Sequence, residues 1–268
     1  MIAPPYSPCI DDDHVSKAIG DMLKLSKCGG KIVICTQLNS GMFIPPEEIV
    51  VRCMDEGLSP EINGGVAAAG GLTLFPHEEA AYFIKSSGAI GTSSHSGCAA
   101  ARQYLLHKKV LRDGELLEPN VLDDFAFEIA KRKAKNHKLG KVAHYTQDEM
   151  SRPADRHVAI VIYYVGVPYF DPSKAPNLPP GFLISRRHFL KPKTAIAQAK
   201  MATEIALCPN FGLRSQFIQK RAKLLLVAVG CTNDLRFSKE ILTKELEAAA
   251  NNDPLIKIFG FDVPKYLL

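Results

Sequence analysis

The chain has 268 residues, of which 46% are hydrophobic and 23% are charged, and its formal net charge is +5. This composition excludes a disordered or collagen-like protein, and no apolar run approaches the roughly 18 residues of a membrane-spanning helix. The seven cysteines are an odd number in a long chain, which favours reduced thiols in a cytoplasmic protein over a disulfide framework.

Helices and strands alternate along the first 110 residues. Short β-branched runs between turn residues predict the strands, whereas apolar spacing with prolines and acids at the start predicts the helices. The glycine-rich segment 63–71 is not expected to be regular throughout, and its backbone can approach another group closely. The predicted elements are a helix at 14–27, a strand at 31–35, a helix at 45–57, strands at 58–62 and 89–94, and helices at 75–88 and 98–111.

Further elements follow in the second half of the chain. They are a helix at 118–140, a strand at 156–166, a proline-rich surface segment at 167–182, a helix at 193–206, a strand at 223–231 and a helix at 238–250. This alternation predicts an α/β fold with a central, mostly parallel β-sheet flanked by helices. No linker divides the chain, so we expect a single domain over 1–268.

A candidate metal site lies in the segment SSHSGCAAA, residues 93–101. His95 and Cys98 follow the predicted strand 89–94, and Cys35 ends the predicted strand 31–35. Because the carboxyl ends of neighbouring parallel strands meet at one edge of a sheet, these three side chains are expected to converge. Two thiolates and one imidazole suit Zn²⁺, and three protein ligands leave a fourth position open, as in catalytic zinc sites.

A strand-terminal cysteine followed sixty residues later by His-x-x-Cys resembles the β-class carbonic anhydrases. The segments 62–71, 77–98 and 157–172 are similar to stretches of that family, so that the resemblance covers about 30–170 and leaves 171–268 as a C-terminal extension in the same domain. It implies a β-carbonic anhydrase-like fold, a homodimer, and Zn²⁺ held by Cys35, His95 and Cys98. It also implies a lyase in which zinc-bound hydroxide attacks carbon dioxide or a similar small electrophile.

The chain departs from that family at its first motif, Cys-x-Asp-x-Arg. Gln37 stands where the aspartate is expected, and Asn39 stands where the arginine is expected. Gln37 carries no charge and Asn39 cannot form a bidentate clamp, so the two would make an altered site with hydration weakened by about 10–100-fold.

Three further residues are candidates for substrate contact. Asn63, Gly64 and Gly65 form either a simple turn or a wall whose amides contact a bound anion of the carbon dioxide/bicarbonate class. That class is the expected small-molecule substrate.

Several alternatives remain open from the sequence. The chain could be a non-enzymatic, carbonic anhydrase-like binding or scaffold protein, with or without zinc. Cys98 and His95 could instead form a cysteine nucleophile and its base. Cys231, Asp234 and Arg236 nearly repeat Cys-x-Asp-x-Arg, although a turn in which Asp234 caps the helix 238–250 explains them as well.

The positive charge collects in two segments, 130–138 and 185–193, which are typical of solvated helix faces. The chain has no tryptophan and no RNA-binding signature, so we expect no nucleic-acid partner and no membrane partner. The first 17 residues lack the basic and apolar regions of a conventional secretory signal, which agrees with a cytoplasmic protein.

Overall fold

The computed structural model describes residues 12–28, 34, 38–58, 66–107, 118–152, 156–175, 178, 179 and 181–268. The helices of this part of the chain are α1 (Asp12–Cys28), α2 (His77–Ser87), α3 (Ala99–His107), α4 (Pro119–His137), α5 (Pro192–Ala206), α6 (Arg214–Gln219) and α7 (Lys239–Ala250). The strands are β1 (Val50–Cys53), β2 (Val66–Ala68), β3 (Gly91–His95), β4 (Lys141–Tyr145), β5 (Val161–Val165), β6 (Gly181–Ile184), β7 (Leu224–Cys231) and β8 (Ile256–Val263).

These strands form two four-stranded sheets, ordered β2-β1-β3-β4 and β6-β5-β7-β8. Every neighbouring pair is parallel. Parallel strands covered on both faces are continuously apolar, and β5 and β7 are accordingly buried at every residue. The predicted α/β class with parallel strands is confirmed, but the strands form two sheets rather than one central sheet.

The two sheets meet along their edge strands β2 and β6. The backbone N–H of Ser185, directly after β6, donates to the carbonyl of Ala67 in β2 at 2.9 Å. In return, the Ser185 hydroxyl accepts from the N–H of Ala67 at 2.9 Å. These contacts give the edge strands partners across the seam between the sheets.

The predicted helix 45–57 is wrong, because the structure has strand β1 there. Prolines 45 and 46 and acids 47 and 48 resemble a helix start, but they belong to the loop that precedes the strand. The β-branched residues Val50 and Val51 then enter the sheet, where Val51 is fully buried between β2 and β3. Burial in the sheet outweighs the local helix signals.

The neighbouring predictions also change. Ile34, the one described residue of the predicted strand 31–35, is buried and helical rather than extended. Leu58 lies in a bend, and the rest of the predicted strand 58–62 lies outside the described residues. The strand of this region is β2, a stretch of three residues within the glycine-rich segment 63–71, and Val66–Ala68 is fully apolar and buried.

In the second half, the predicted helices and strands are present with ends shifted by a few residues. Strand β6 begins within 167–182, which the prolines had marked as a surface segment, and β4, α6 and β8 were not predicted. None of the described helices has the length and hydropathy needed to cross a membrane. The domain boundaries stay a prediction.

Candidate metal centre

Three donor side chains meet at the carboxyl edge of the first sheet. Cys53 ends β1, His95 ends β3, and Cys98 immediately precedes α3. Because β1 and β3 are parallel neighbours, their ends lie together. Gly97, with φ of 66°, turns the chain between His95 and Cys98. The donor atoms of this Cys-His-Cys cluster all lie within 4.8 Å of one another, and all three residues are buried.

The imidazole of His95 is oriented by its own loop. Its Nδ1 lies 2.9 Å from the carbonyl oxygen of Ser96, which only accepts, so Nδ1 donates. Its Nε2 is buried and has no hydrogen-bond partner in the part of the chain that the structure describes. A buried polar atom without a partner costs about 1–3 kcal/mol. A metal ion on Nε2 would satisfy this atom, so the cluster fits a bound metal.

The charge state of His95 depends mainly on two opposing effects. Burial disfavours the charged ring, but the Asp55 carboxylate, with Oδ2 3.7 Å from Nε2, raises the pKa of His95 to about 9. In the metal-free protein a proton therefore occupies Nε2 near neutral pH. A metal ion has to displace that proton, so metal binding should strengthen as pH rises.

The two thiols differ in their readiness to ionise. A hydrogen bond from Cys53 and backbone N–H groups of Ala101 and Ala100 lower the pKa of Cys98. Burial, together with Cys98, raises the pKa of Cys53 well above its usual range. The N–H of Gly70 donates to the Cys53 sulfur at 3.1 Å. Without a metal, Cys98 therefore ionises more readily than Cys53, and a bound divalent ion would ionise both thiols.

An acid–base pair lies beside the cluster. Arg152 donates to Asp55 through Nε at 2.8 Å and through a terminal nitrogen at 3.0 Å. The N–H of Gly57 donates to the same carboxylate at 2.8 Å. Burial alone would raise the pKa of Asp55, but Arg152, then His95 and His157, hold it well below its usual range. Asp55 is therefore ionised and accepts hydrogen bonds only.

A second group that could hold a metal contains Asp55, Glu56 and His157. The Nδ1 of His157 lies 3.1 Å from Glu56 Oε2, and Glu56 Oε1 also accepts from the N–H of Val158 at 2.7 Å. Arg152 binds both oxygens of Asp55 and Glu56 pairs with His157, so the charges of this group are already balanced by protein side chains. It is better described as a buried carboxylate–imidazole pair.

Asp55 and Glu56 also line a cleft of about 270 Å³. The opposite wall comes from the second half of the chain and includes Ser173 and Leu183. Arg52, buried and adjacent to Cys53, lines the cleft as well. The cleft therefore runs beside the carboxylate that borders the cluster.

The structure brings together two of the predicted metal ligands, His95 and Cys98. Cys35, Gln37, Asn63, Gly64 and Gly65 lie outside the described residues, so their predicted roles stay predictions. Asn39 is exposed, and its amide donates to the carbonyl of Lys174 at 3.2 Å.

Among the described residues, the third donor of the cluster is Cys53, which sequence reasoning had placed in a helix. The β-branched run before it and the Cys-x-Asp spacing of Cys53 and Asp55 were signals that could have identified it. Nothing local marks Arg152, which lies 97 residues beyond Asp55.

The segment with Cys231, Asp234 and Arg236, which nearly repeats the Cys-x-Asp-x-Arg motif, is a turn. Asp234 accepts from the N–H of Arg236 and so caps the short turn Leu235–Phe237, whereas Ser238 precedes α7. The Arg236 guanidinium binds the same carboxylate at 2.8 and 2.9 Å. Comparison with protein-family models, curated proteins and solved structures gives no match to this chain.

Proposed function

We propose that the protein is a zinc-dependent lyase similar to the β-class carbonic anhydrases, acting on carbon dioxide or bicarbonate. Zinc is held by Cys53, His95 and Cys98. The observation that carries this proposal is the buried Nε2 of His95, which lies beside two thiols and has no hydrogen-bond partner among the described residues. The Asp55 carboxylate, 3.7 Å away, lies beyond hydrogen-bond distance of this nitrogen, whereas a divalent ion would bind it directly.

The donor set favours zinc over harder cations. Two sulfur atoms and one imidazole nitrogen are soft and borderline ligands, whereas magnesium and calcium prefer oxygen. Three protein ligands leave one position for a water or a substrate. When bound, the ion would supply a Lewis acid that makes such a water strongly acidic.

Asp55 and Arg152 supply the charges that Gln37 and Asn39 lack. The β-class motif Cys-x-Asp-x-Arg matches Cys53 and Asp55 at its first two positions, while Gly57 stands at the third. The guanidinium comes instead from Arg152, far along the chain, and clamps Asp55 through two bonds. This supports a site with both charged partners rather than a weakened one.

The role of Asp55 follows from its geometry. As a buried carboxylate that only accepts, it can bind and orient a proton donor next to the cluster. Arg152 fixes its position and keeps it ionised. The cleft that Asp55 borders is small, which suits a substrate of a few atoms.

The competing function is a non-enzymatic protein with a structural zinc site. The near-complete burial of all three donors favours it, since structural sites are closed to solvent.

One experiment separates the two functions. Metal analysis of the purified protein should find about one zinc per chain, and a stopped-flow assay should detect carbon dioxide hydration. Both should be lost in Cys98→Ser and retained in Cys208→Ser, a matched change of a half-buried cysteine outside the cluster. Zinc without hydration would favour the structural site, and no zinc at all would refute the proposal.

A further inference from the structure

The two sheets repeat one strand arrangement. In each, the second strand lies at the edge, followed by the first, third and fourth, and all neighbours are parallel. The third strand ends level with the fourth in both sheets, since His95 pairs with Tyr145 and Cys231 pairs with Val263. This agreement lets the strand residues of the first unit (50–145) be matched with those of the second unit (161–263).

The strand registers extend this match to the other strands and to the loops. The equivalent pairs are Val51 and Tyr164, Val66 and Ile184, Ala67 and Ser185, Cys53 and Gly166, His95 and Cys231, and Cys98 and Asp234. The cluster thus has a counterpart position in the second unit.

Equivalent residues meet at the seam between the sheets. Ala67 and Ser185 are matched by register, and they bond to each other in both directions at 2.9 Å. In an interface with twofold symmetry, a residue contacts its own copy at the axis. The seam therefore has the geometry of a symmetric dimer interface within one chain.

The helices that follow the edge strands show the same reciprocity. Glu79 in α2 accepts from the N–H of Leu190 at 2.8 Å, just before α5. Gln198 in α5 accepts from the N–H of Ala69 at 2.7 Å, in the segment before α2. Each unit thus sends a side chain from its helix to the loop that precedes the matching helix of the other unit.

We infer that the chain is a fused pair of one α/β unit, related by a pseudo-twofold axis at Ala67 and Ser185. The second unit has lost the metal centre and acts as the partner that closes the site of the first. It takes the place of the second subunit that the family resemblance implied. The pairing stands on these contacts alone, whereas the statement about metal rests on the proposed function.

The counterpart of the cluster cannot hold a metal. Gly166 offers no donor at the position of Cys53, and a Cβ there would lie 2.8 Å from both Phe237 Cβ and Leu242 Cδ1. Asp234 replaces Cys98, and its carboxylate is bound by Arg236 and lies 3.4 Å from Arg187. Protein side chains therefore fill the space at Gly166 and neutralise the charge of Asp234.

The second unit contributes to the first unit's site. The N–H of Leu183 donates to the carbonyl of Met54, between Cys53 and Asp55, at 3.1 Å. The rings of Phe182 and Phe211 lie 5.3 and 6.1 Å from the His157 ring, which pairs with Glu56. These contacts fix the backbone next to the cluster, and Leu183 also lines the cleft beside it.

A disulfide across the seam tests the pairing. The double variant Ala67→Cys/Ser185→Cys should oxidise within one chain, so that non-reducing electrophoresis shows a monomer and mass spectrometry identifies the linked peptides. The single variant Ala67→Cys is the control for the native thiols. A linkage found only between chains, or none at all, would overturn the fused pair.

Metal counting tests the loss of the second centre. Cobalt(II) titration, followed through the thiolate charge-transfer absorbance, should saturate at about one ion per chain. Cys98→Ser should abolish the signal, whereas the control Cys231→Ser, at the second-unit position matched with His95, should leave it unchanged. Two ions per chain, or loss in Cys231→Ser, would contradict the inference. Absence of any ion in the unmodified protein would refute the proposed function, and the seam disulfide would still test the pairing.

Discussion

Asp55 is held in one state by its surroundings. Arg152 binds both of its oxygens, Gly57 donates to one of them, and water has little access to the side chain. A carboxylate fixed in this way needs no reorganisation to accept a hydrogen bond beside a metal ion. The fold therefore holds Asp55 in the position and charge state that the proposed chemistry needs.

Replacing Asp55→Asn should lower the hydration rate by about 10–100-fold, because the amide keeps the shape but not the charge. Zinc content should stay near one ion per chain. The variant should also lose about 3 kcal/mol of unfolding free energy, since Arg152 stays buried without an anionic partner. Stopped-flow rates and urea denaturation measure the two effects.

The matched control is Glu128→Gln, which breaks an exposed ion pair with Lys131. Exposed pairs contribute little, so neither the rate nor the stability should change measurably. Equal effects of the two substitutions would contradict the role assigned to Asp55.

His95 predicts a pH-dependent stability in the metal-free protein. Its pKa is raised from 6.5 to about 9, so the protonated ring stabilises the fold below pH 6.5 and this stabilisation is lost as pH rises to about 9. The expected loss is about 3 kcal/mol. Urea denaturation of the chelator-treated protein should show this fall in unfolding free energy with rising pH. The variant His95→Gln should not show it. Identical pH profiles would count against it.

The sequence identified part of the site at this scale. His95 and Cys98 were predictable because two strong metal donors, with only two residues between them, follow a recognisable strand. Arg152 was not, since its position beside Asp55 depends on the path of nearly 100 intervening residues. Charge pairs of this kind are set by tertiary structure and leave no local pattern.

At the scale of elements, β1 shows why local patterns fail. Its residues carry the signals of a helix start in front of them, and only the neighbouring strands β2 and β3 make the extended form favourable. β5 and β7 could be predicted because their long apolar runs are typical of a parallel strand that is buried on both faces. Because a helix was predicted where β1 lies, Cys53 was not recognised as a cysteine at a strand end. Cys35 was predicted as the third donor instead.

The turn between β3 and α3 should control metal affinity. Gly97→Ala forces a Cβ into a left-handed conformation, at a cost of about 1 kcal/mol, and shifts the donors on either side. Cobalt affinity should fall by roughly 10-fold. Gly88→Ala is a close control, because Gly88 has φ of 70° and open space around it but lies at the end of α2. It should destabilise the fold similarly and leave the affinity unchanged. An equal loss of affinity would refute this coupling.

For the whole molecule, bound zinc should add stability by mass action. At a free zinc concentration a thousand times Kd, the gain is about 4 kcal/mol, or roughly 10 °C in melting temperature. Thermal melts with zinc and with a chelator measure the difference. Cys98→Ser should show no zinc-dependent shift. A shift in that variant equal to that of the unsubstituted protein would mean that zinc stabilises the fold from another position.

The seam between β2 and β6 has a consequence for behaviour at low protein concentration. Subunits held only by weak contacts separate on dilution, and a site that needs both would then lose its far wall. Here the two halves share one backbone, so their effective concentration does not change when the sample is diluted. The cleft beside Asp55 should accordingly keep its shape however dilute the protein becomes.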